Sequence, residues 1–237
     1  MFKFYNFKSL SSTNDKAKEL ARKCLGNLVV VTEKQEKGKG RFGRRWSSSL
    51  GGLYMTIVLR ERNPDKVRYL TLIASLAVAK TIKKISKLDA QVKWPNDVLV
   101  DDKKICGILT ETISNASNYA LIGIGVNINQ KIFSKNIIKI ATSLKIETNK
   151  NYNIKNISKI IIKEFNNLYQ YYNKKSYNKI ITLWKKYSHT LGKKVKANTL
   201  SGTYVGKAID IDNDCNLILK LNNGKLQKII EGDIFVV

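Results

Sequence analysis

Nine residues, 38–46 (GKGRFGRRW), lie between two apolar runs and constrain the fold of the first half of the chain. The runs 28–32 and 53–59 have the composition of buried strands, so a glycine-rich cationic loop must connect two strands of a sheet. Such a loop can wrap around an anion. Because its charges repel and glycine loses much entropy on ordering, we expect a ligand, rather than contacts of its own, to order it. The alternative is a solvated basic turn.

Hydrophobic periodicity predicts the other elements. Residues 2–7 alternate like an edge strand, and 11–15 can cap a helix whose apolar face holds Ala17, Leu20, Ala21 and Leu25. The remaining predictions are a core helix over 67–87, strands over 91–100, 105–112 and 119–129, a turn at 115–118, helices over 155–172 and 180–187, and short strands between 192 and 237.

The charge of the chain is strongly positive but evenly spread. Lys and Arg number 43 against 18 Asp and Glu, which gives a formal net charge of +25. A basic nucleic-acid-binding protein is therefore one alternative, although the joint abundance of Lys, Asn and Ile is typical of codon bias. Cys24, Cys106 and Cys215 form no CxxC pair, which argues against a zinc site and for a reducing, cytoplasmic compartment. No apolar run reaches membrane-spanning length.

Two polar segments are candidates for a binding site. Pro95 interrupts the run 91–100, so Asn96 and Asp97 are expected at a fixed bend, with a self-bonded turn as the alternative. Lys104 begins the next apolar strand, where it either extends towards solvent or provides a point charge for a phosphate.

Glycines within the predicted strands leave room on one face of the sheet. Gly107 marks a position where a ligand or a second backbone can come close to the strand. Gly123 and Gly125 are two residues apart on a central strand, so they lie on the same face. They predict a slot that either a flat apolar ligand or a neighbouring helix fills. At the start of the first helix, Ser12 and Thr13 either cap the helix or bind a polar ligand group.

Five motifs, in one order, resemble the signature of the biotin protein ligases, which attach biotin to carboxylase carrier domains. They are Ser12-Thr13-Asn14, Gln35 followed by GKGRFGR at 38–44, KWPND at 93–97, KICGILTE at 104–111 and GIGVN at 123–127. Each motif is weak alone, but the shared order and spacing make a strong match over about residues 1–130. The β-rich end is similar to the small SH3-like barrel that ends these ligases.

The resemblance implies an α+β fold with a mixed, largely antiparallel central sheet flanked by helices, as in class II synthetase-like ligases. It implies a catalytic domain over 1–189 and a C-terminal SH3-like domain over 190–237. In the implied reaction, the carboxylate of biotin attacks the α-phosphate of ATP to give biotinyl-5'-AMP and pyrophosphate. A lysine of a biotin carboxyl carrier protein then displaces AMP. The implied cofactors are ATP, biotin and Mg²⁺, with the magnesium ligands left open.

The resemblance also implies roles for individual residues. Lys104 and Arg41 are the implied catalytic groups, because two anions must meet and charge develops at phosphorus. The residues implied for biotin are Ser12, Thr13, Gln35, Gly38, Lys39, Arg41, Lys104, Gly107 and Gly123, with Gly125 as part of the floor. The residues implied for the nucleotide are Lys39, Arg41, Arg44, Trp46, Asn96, Lys104 and Asn127.

Some features depart from the family or leave alternatives open. Lys39 stands where the family usually has Arg, so a point charge replaces a two-pronged contact and tight retention of the adenylate is less expected. Nothing before Phe2 suggests a helix-turn-helix, so we expect no specific DNA binding. A homodimer is possible, and a lipoate or octanoate ligase is the nearer alternative because it shares the sheet. The spacing gives His189 no Ser or Cys partner, which argues against a catalytic triad.

Overall fold

A computed structural model describes residues 2–23, 26–61, 63–113 and 118–237. The predictions for Cys24 and Leu25, and most of the turn predicted at 115–118, lie outside these ranges. Within them, seven strands form one mixed sheet and five strands form a second, antiparallel sheet. The predicted α+β class is confirmed.

The larger sheet has the strand order β1-β2-β3-β7-β6-β5-β4, in which β1 and β2 are parallel and the other neighbours antiparallel. Strand β1 lies at an edge, as its alternating pattern predicts. The strands are β1 (Lys3–Leu10), β2 (Leu28–Gln35), β3 (Leu53–Arg60), β4 (Gln91–Lys93), β5 (Asp97–Val100), β6 (Lys103–Ile113) and β7 (Tyr119–Val126).

Strand β7 lies in the middle of this sheet and aligns the glycines predicted to form a slot. Gly125 pairs with Gly107 of β6, and Gly123 pairs with Thr56 of β3. The strand ends three residues earlier than predicted. The Asn127 amide still donates to the Ile105 carbonyl in register with β6, but the Asn127 carbonyl accepts from the Leu144 amide instead of continuing the ladder.

Helices cover both faces of the larger sheet. Helix α1 packs on the face that carries Val30 and Val58, whereas the neighbouring residues Val29 and Ile57 face the core beneath α2. The helices are α1 (Thr13–Lys23), α2 (Arg68–Ser86), α3 (Leu144–Thr148), α4 (Ile154–Asn173) and α5 (Tyr177–Lys186). The short helix α3 was not predicted; Ser143 caps it by accepting a hydrogen bond from the Ile146 amide at 3.1 Å.

The second sheet has the order β11-β10-β9-β8-β12 and shares one hydrophobic core with the first. The indole of Trp94 crosses between them and donates a hydrogen bond to the Cys215 carbonyl at 2.9 Å. The strands are β8 (Lys194–Thr199), β9 (Gly202–Ile211), β10 (Leu217–Leu221), β11 (Leu226–Ile229) and β12 (Asp233–Val236). The boundary between residues 189 and 190 stays a prediction.

In the described ranges, no helix combines the length and the apolar character needed to cross a bilayer.

Candidate active site

A cleft opens above β6 and β7, between the start of α1, the basic loop (residues 38–46) and the first residue of β12. Its volume is about 160 Å³. All the residues predicted for the site line it, except Gly38 and Asn127. Those that line it are Ser12, Thr13, Gln35, Lys39, Arg41, Arg44, Trp46, Asn96, Lys104, Gly107 and Gly123. The structure thus brings together residues that lie more than 100 positions apart, while their ligand roles stay predictions.

One end of the cleft is polar because α1 begins there. The amide of Thr13 donates a hydrogen bond to Gln35 Oε1 at 2.8 Å, so Gln35 satisfies a helix N-terminal group that has no partner within the helix. Gln35 Nε2 donates to Ser48 Oγ at 2.9 Å, which ties the end of β2 to the base of the basic loop. Ser12 and Thr13 are only 2% and 4% exposed, so any polar group that meets them is largely shielded from water.

The floor of the cleft is made of glycine and is covered by protein. The indole of Trp46 lies on Gly107 and Gly125: a Cβ at Gly107 would come within 2.9 Å of Trp46 Cζ3, and one at Gly125 would overlap the indole nitrogen. Gly123 is covered in the same way by Asn14. The predicted slot therefore exists. The Trp46 ring of the basic loop fills it at Gly107 and Gly125, and the Asn14 amide of helix α1 fills it at Gly123.

Trp46 Nε1 is buried and has no hydrogen-bond partner among the described residues. A buried donor without a partner is costly, so a state in which this indole leaves the floor recovers a hydrogen bond to water or ligand. The indole position shown by the structure thus leaves this donor unsatisfied.

Lys104 extends from the start of β6 into the cleft. Its Nζ lies 2.7 Å from Asp97 Oδ1 and 5.3 Å from the centroid of the Trp46 ring. The contact with Asp97 is an ion pair, since Asp97 Oδ1 accepts no hydrogen bond of good geometry from the described residues. Lys104 is therefore held by a carboxylate on one side and an aromatic face on the other.

The basic loop is anchored by a carboxylate of the second sheet. Both terminal nitrogens of Arg44 donate to the carboxylate of Asp233, and Arg41 Nη1 donates to the carbonyl of Gly232 at 3.4 Å. Hydrogen bonding to Arg44 lowers the pKa of Asp233 below its usual range and raises that of Arg44. The loop therefore has contacts of its own in this structure, and the expectation that an anionic ligand orders it stays a prediction.

Arg41 lies at the boundary between this anchor and the cleft. Its Nη1 also donates to Asn96 Oδ1 at 3.3 Å, and burial lowers its pKa, although a guanidinium stays protonated. At the tip of the loop, Phe42 adopts a φ of 55° and stacks its exposed ring 4.6 Å from the Arg41 guanidinium carbon. The loop thus presents Arg41 inwards and an aromatic ring outwards.

Lys39 and Asn96 also line the cleft, and each is held in place by contact with the protein. Lys39 Nζ lies 2.5 Å from Asp15 Oδ1, in the first turn of α1. Asn96 Nδ2 donates to the carbonyl of Ile108 at 2.7 Å, which fixes the β4–β5 bend predicted for it.

Gly38 and Asn127 lie outside the cleft lining. A Cβ on Gly38 would overlap the Trp46 carbonyl oxygen, so this glycine allows the two ends of the basic loop to approach each other. Asn127 is 4% exposed and donates from Nδ2 to the carbonyl of Thr142 at 2.9 Å. Its amide is thus engaged in the protein, and no contact in the structure supports the predicted nucleotide role.

Several contributors were missed by the sequence analysis. Asn14 and Glu111 stand inside quoted motifs and form a hydrogen bond at 2.5 Å, but neither was assigned a role. Thr56 and Asp233 carried no signal, because only the strand register and the packing of the second sheet bring them to the site.

His189 lies away from the cleft, at the junction of the two sheets. Its Nε2 lies 2.5 Å from Asp102 Oδ1 and 2.8 Å from Lys193 Nζ, and its ring is 6% exposed. Among the described residues, the hydrogen-bond contacts of its ring are with Asp102 and Lys193.

The cleft offers few groups for a metal. The described residues contain no group of three or more His, Cys, Asp or Glu side chains arranged to hold an ion. Asp97 and Asp233, the carboxylates that line the cleft, are both paired with cationic side chains.

The chain is similar to known proteins along nearly its whole length. Residues 6–129 match the biotin/lipoate A/B protein ligase family, and residues 190–237 match the biotin protein ligase C terminal domain. The bifunctional ligase/repressor BirA of Bacillus subtilis is 37% identical over 232 residues, which cover 95% of this chain and 71% of that protein. A biotin acetyl-CoA-carboxylase ligase of Paracoccus denitrificans is 32% identical over 121 residues, 50% of each chain.

Solved structures extend the likeness to the fold. A biotin protein ligase from Aquifex aeolicus in complex with biotin and ATP gives a TM-score of 0.89 at 26% identity, covering 100% of this chain and 99% of that one. A biotin protein ligase from Leishmania major in complex with biotin shares the fold at 20% identity, with a TM-score of 0.69.

The cleft lies between a cationic loop and a sheet whose floor is glycine, and the first residue of β12 in the second sheet borders it. This fold and site are those of an α+β ligase of the class seen in the Aquifex structure. The chain belongs to the biotin/lipoate A/B protein ligase family, and within it to the biotin protein ligases. The resemblance and the enzyme class predicted from the five motifs are confirmed.

Proposed function

We propose that the protein activates biotin with ATP as biotinyl-5'-AMP, releases pyrophosphate, and transfers biotin to a lysine of a biotin carboxyl carrier protein in the cytoplasm. The observation that carries this proposal is the order of groups along one cleft. Thr13 and Gln35 form the polar end, next to Asn14 over Gly123. The floor continues to Gly107, where the Lys104 side chain lies, and Arg41 lines the same cleft. Biotin has the same order of a ureido ring, an apolar ring and a carboxylate.

The polar end and the floor are proposed to bind the ring system. Ser12, Thr13 and Gln35 supply hydroxyl, amide and carbonyl groups to the ureido ring. Ser12 and Thr13 are buried and Gln35 is half-buried, and removal from water strengthens these hydrogen bonds. Gly107 and Gly125 lack side chains, so the space that Trp46 now fills becomes room for a flat ring above β6 and β7, while Gly123 makes room for Asn14 beside the polar end. Trp46 must leave this floor when the ring enters, which frees it to pack against the nucleotide.

The cations are proposed to drive the first chemical step. A carboxylate oxygen of biotin forms a bond to the α-phosphorus while the bond to the leaving pyrophosphate breaks. Negative charge builds up between two groups that repel each other, so fixed cations lower the barrier more than they stabilise the separate reactants. Lys104 is the group best placed for this role, because Asp97 holds its ammonium in the cleft.

The basic loop is proposed to close on the adenylate. Lys39, Arg41 and Arg44 supply charge to the carboxylate and phosphates, with Asn96 at the bend beneath them. For Arg44 this requires exchange of its Asp233 partner for a ligand phosphate, which is a bidentate anion of similar geometry. The role of Asn127 stays a prediction from the resemblance alone.

Magnesium is proposed to enter with the nucleotide. The carboxylates in the cleft are paired with Lys104 and Arg44, so the described residues offer no resident site. Mg²⁺ commonly binds through substrate phosphates and water, and here it is treated as part of the MgATP substrate.

The test is biotin-dependent exchange of labelled pyrophosphate into ATP. We expect exchange with biotin and little without it. In a second assay with labelled biotin, we expect the label to appear on the lysine of a purified carrier domain. Equal exchange in the absence of biotin contradicts the proposal. Lipoate is the competitor to include because the family also contains lipoate ligases, and preferential activation of lipoate would reassign the substrate.

A further inference from the structure

A chain of hydrogen-bonded side chains runs behind the polar end of the cleft, from Glu111 on β6 to Gln35 at the end of β2. Glu111 and Thr56 belong to this chain but do not line the cleft. They act only through Thr13 and Asn14, which line it. Thr56 is 0% exposed and Asn14 is 5% exposed, so water does not complete the chain at these groups.

At one end of this hydrogen-bond chain, the Glu111 carboxylate orients the Asn14 amide so that its oxygen is the acceptor. Glu111 Oε2 accepts a hydrogen bond from Asn14 Nδ2 at 2.5 Å. The reverse orientation of the Asn14 amide would place its oxygen against the carboxylate. Asn14 Oδ1 therefore faces Thr56 Oγ1, at 2.6 Å, and can only accept.

At the other end, the Trp46 carbonyl of the basic loop and Ser48 orient the Gln35 amide so that its oxygen is the acceptor. Ser48 Oγ donates to the carbonyl of Trp46 at 3.1 Å, so it must accept the hydrogen bond from Gln35 Nε2. Gln35 Oε1 then faces Thr13, where it accepts from the backbone amide at 2.8 Å and lies 3.0 Å from the hydroxyl.

Between these two acceptors stand two hydroxyls with one hydrogen each. Three oxygen–oxygen contacts each need one hydrogen to become hydrogen bonds. They are Asn14 Oδ1 to Thr56 Oγ1 at 2.6 Å, Thr56 Oγ1 to Thr13 Oγ1 at 2.9 Å, and Thr13 Oγ1 to Gln35 Oε1 at 3.0 Å. The shortest contact takes the Thr56 hydrogen, because two bare oxygens do not approach so closely. The Thr13 hydrogen can fill only one of the remaining two, so the chain is one hydrogen short at a residue that lines the cleft.

We infer that Glu111 and Thr56 are positioning residues that keep this chain one hydrogen short, so that an N–H group of the ligand completes it at Thr13 and Gln35. The inference rests on the proposed function, in which the ureido ring of biotin supplies the N–H. It adds a source of specificity, since lipoate and octanoate carry no N–H donor at the corresponding end. A site built around a missing donor rejects a ligand that lacks one.

Replacing the carboxylate tests the fixed end. The side-chain amide created by Glu111→Gln can donate to Asn14 Oδ1, which lets the Asn14 amide turn over and present Nδ2 to Thr56. The missing hydrogen then comes from the protein, and the ligand N–H loses its acceptor. We expect the dissociation constant for biotin to rise by roughly tenfold to a hundredfold. The exposed residue Glu33 of β2 provides the matched control, Glu33→Gln.

Replacing the hydroxyl tests the middle of the chain. Thr56→Val keeps the shape of the side chain but removes its hydrogen and its acceptor, and should weaken biotin binding by a similar factor. Thr56→Ser restores the hydroxyl and should recover most of the affinity. The serine variant separates hydrogen bonding from packing, and thermal unfolding of all variants checks that they fold.

The measurement is titration calorimetry of each variant with biotin, without nucleotide, together with KM and kcat for pyrophosphate exchange. We expect KM for biotin to rise in Glu111→Gln and Thr56→Val, with kcat at saturating biotin and KM for ATP within twofold of the parent protein. A parent protein that does not bind biotin overturns the proposed function as well. A parent that binds biotin while Glu111→Gln binds it equally, or a Thr56→Ser variant as weak as Thr56→Val, overturns this inference alone.

Discussion

Lys104 and Asp97 form an ion pair in the cleft, with Lys104 Nζ 2.7 Å from Asp97 Oδ1. The two side chains extend from adjacent antiparallel strands, β5 and β6, so the sheet itself sets their separation. The pair keeps a cation in a partly buried site before any anionic ligand arrives. When negative charge enters the cleft, Lys104 can meet it without first being ordered.

Lys104→Ala is expected to lower kcat for biotin-dependent pyrophosphate exchange by roughly 10² to 10³, with a much smaller change in KM for biotin. The reason is that the ammonium meets the charge that develops at phosphorus. Lys103→Ala removes an exposed charge from the preceding residue and should leave kcat unchanged. A loss of biotin affinity with kcat preserved would contradict the assigned role.

Biotin is expected to change the fluorescence of Trp46, because a ring that occupies the floor must displace the indole from Gly107 and Gly125. The other two tryptophans, Trp94 and Trp184, are 2% and 1% exposed in the core and should contribute a constant signal. Titration of the parent protein with biotin should therefore give a saturable change that Trp46→Phe lacks. An identical change in Trp46→Phe would place the reporter elsewhere.

Gly125→Ala is expected to raise KM for biotin by about tenfold or more, since the added methyl group occupies the floor where the indole and, later, the ligand rest. The matched control is Gly26→Ala, because a Cβ there meets no atom within 4 Å. Steady-state exchange kinetics for the two variants give the comparison. Parent-like KM values in Gly125→Ala would show that the ligand does not use this part of the floor.

Asp233→Asn is expected to release the basic loop, which limited digestion with trypsin should report as faster cleavage after Arg44 and Arg45 at pH 7. Asp210→Asn also removes an ion pair of the second sheet, with Lys185, but lies away from the loop and should leave cleavage unchanged. Excess biotin and ATP should protect the loop in the parent protein. Equal cleavage rates in Asp233→Asn and the parent would show that the ion pair does not hold the loop.

The same ion pair gives a pH dependence with a defined sign. Hydrogen bonding to Arg44 lowers the pKa of Asp233 in the folded protein. Its stabilisation is thus complete above the unfolded-state pKa of about 4 and is lost as the pH falls through the lower, folded-state value. Because Arg44 is 62% exposed, the pair contributes at most about 1 kcal/mol. The difference in unfolding midpoint between the parent and Asp233→Asn should be small at pH 7 and should vanish once the pH lies below the folded-state pKa of Asp233.

Local sequence patterns predicted much of the fold. The β-branched run that became β2, and the apolar periodicity that became α2, act over a few residues, so the printed order of side chains is enough to recognise them. Helix α3 was missed because five residues are too few to show a period. The end of β7 was placed too late because the Asn127 carbonyl accepts a long-range hydrogen bond from the Leu144 amide, which no local pattern records.

The candidate site was predicted from the sequence wherever residue type and motif order carried the information, as for Gln35, Arg41, Lys104 and the glycines of β6 and β7. Only the tertiary structure decided which groups lie opposite them. The register between β3 and β7 places Thr56 beside the first turn of α1, and the packing of the second sheet brings Asp233 to the basic loop. Thr13 and Thr56 are separated by 43 positions in the sequence, and Arg44 and Asp233 by 189. Such contacts depend on how the whole core packs, so no local sequence pattern predicts them.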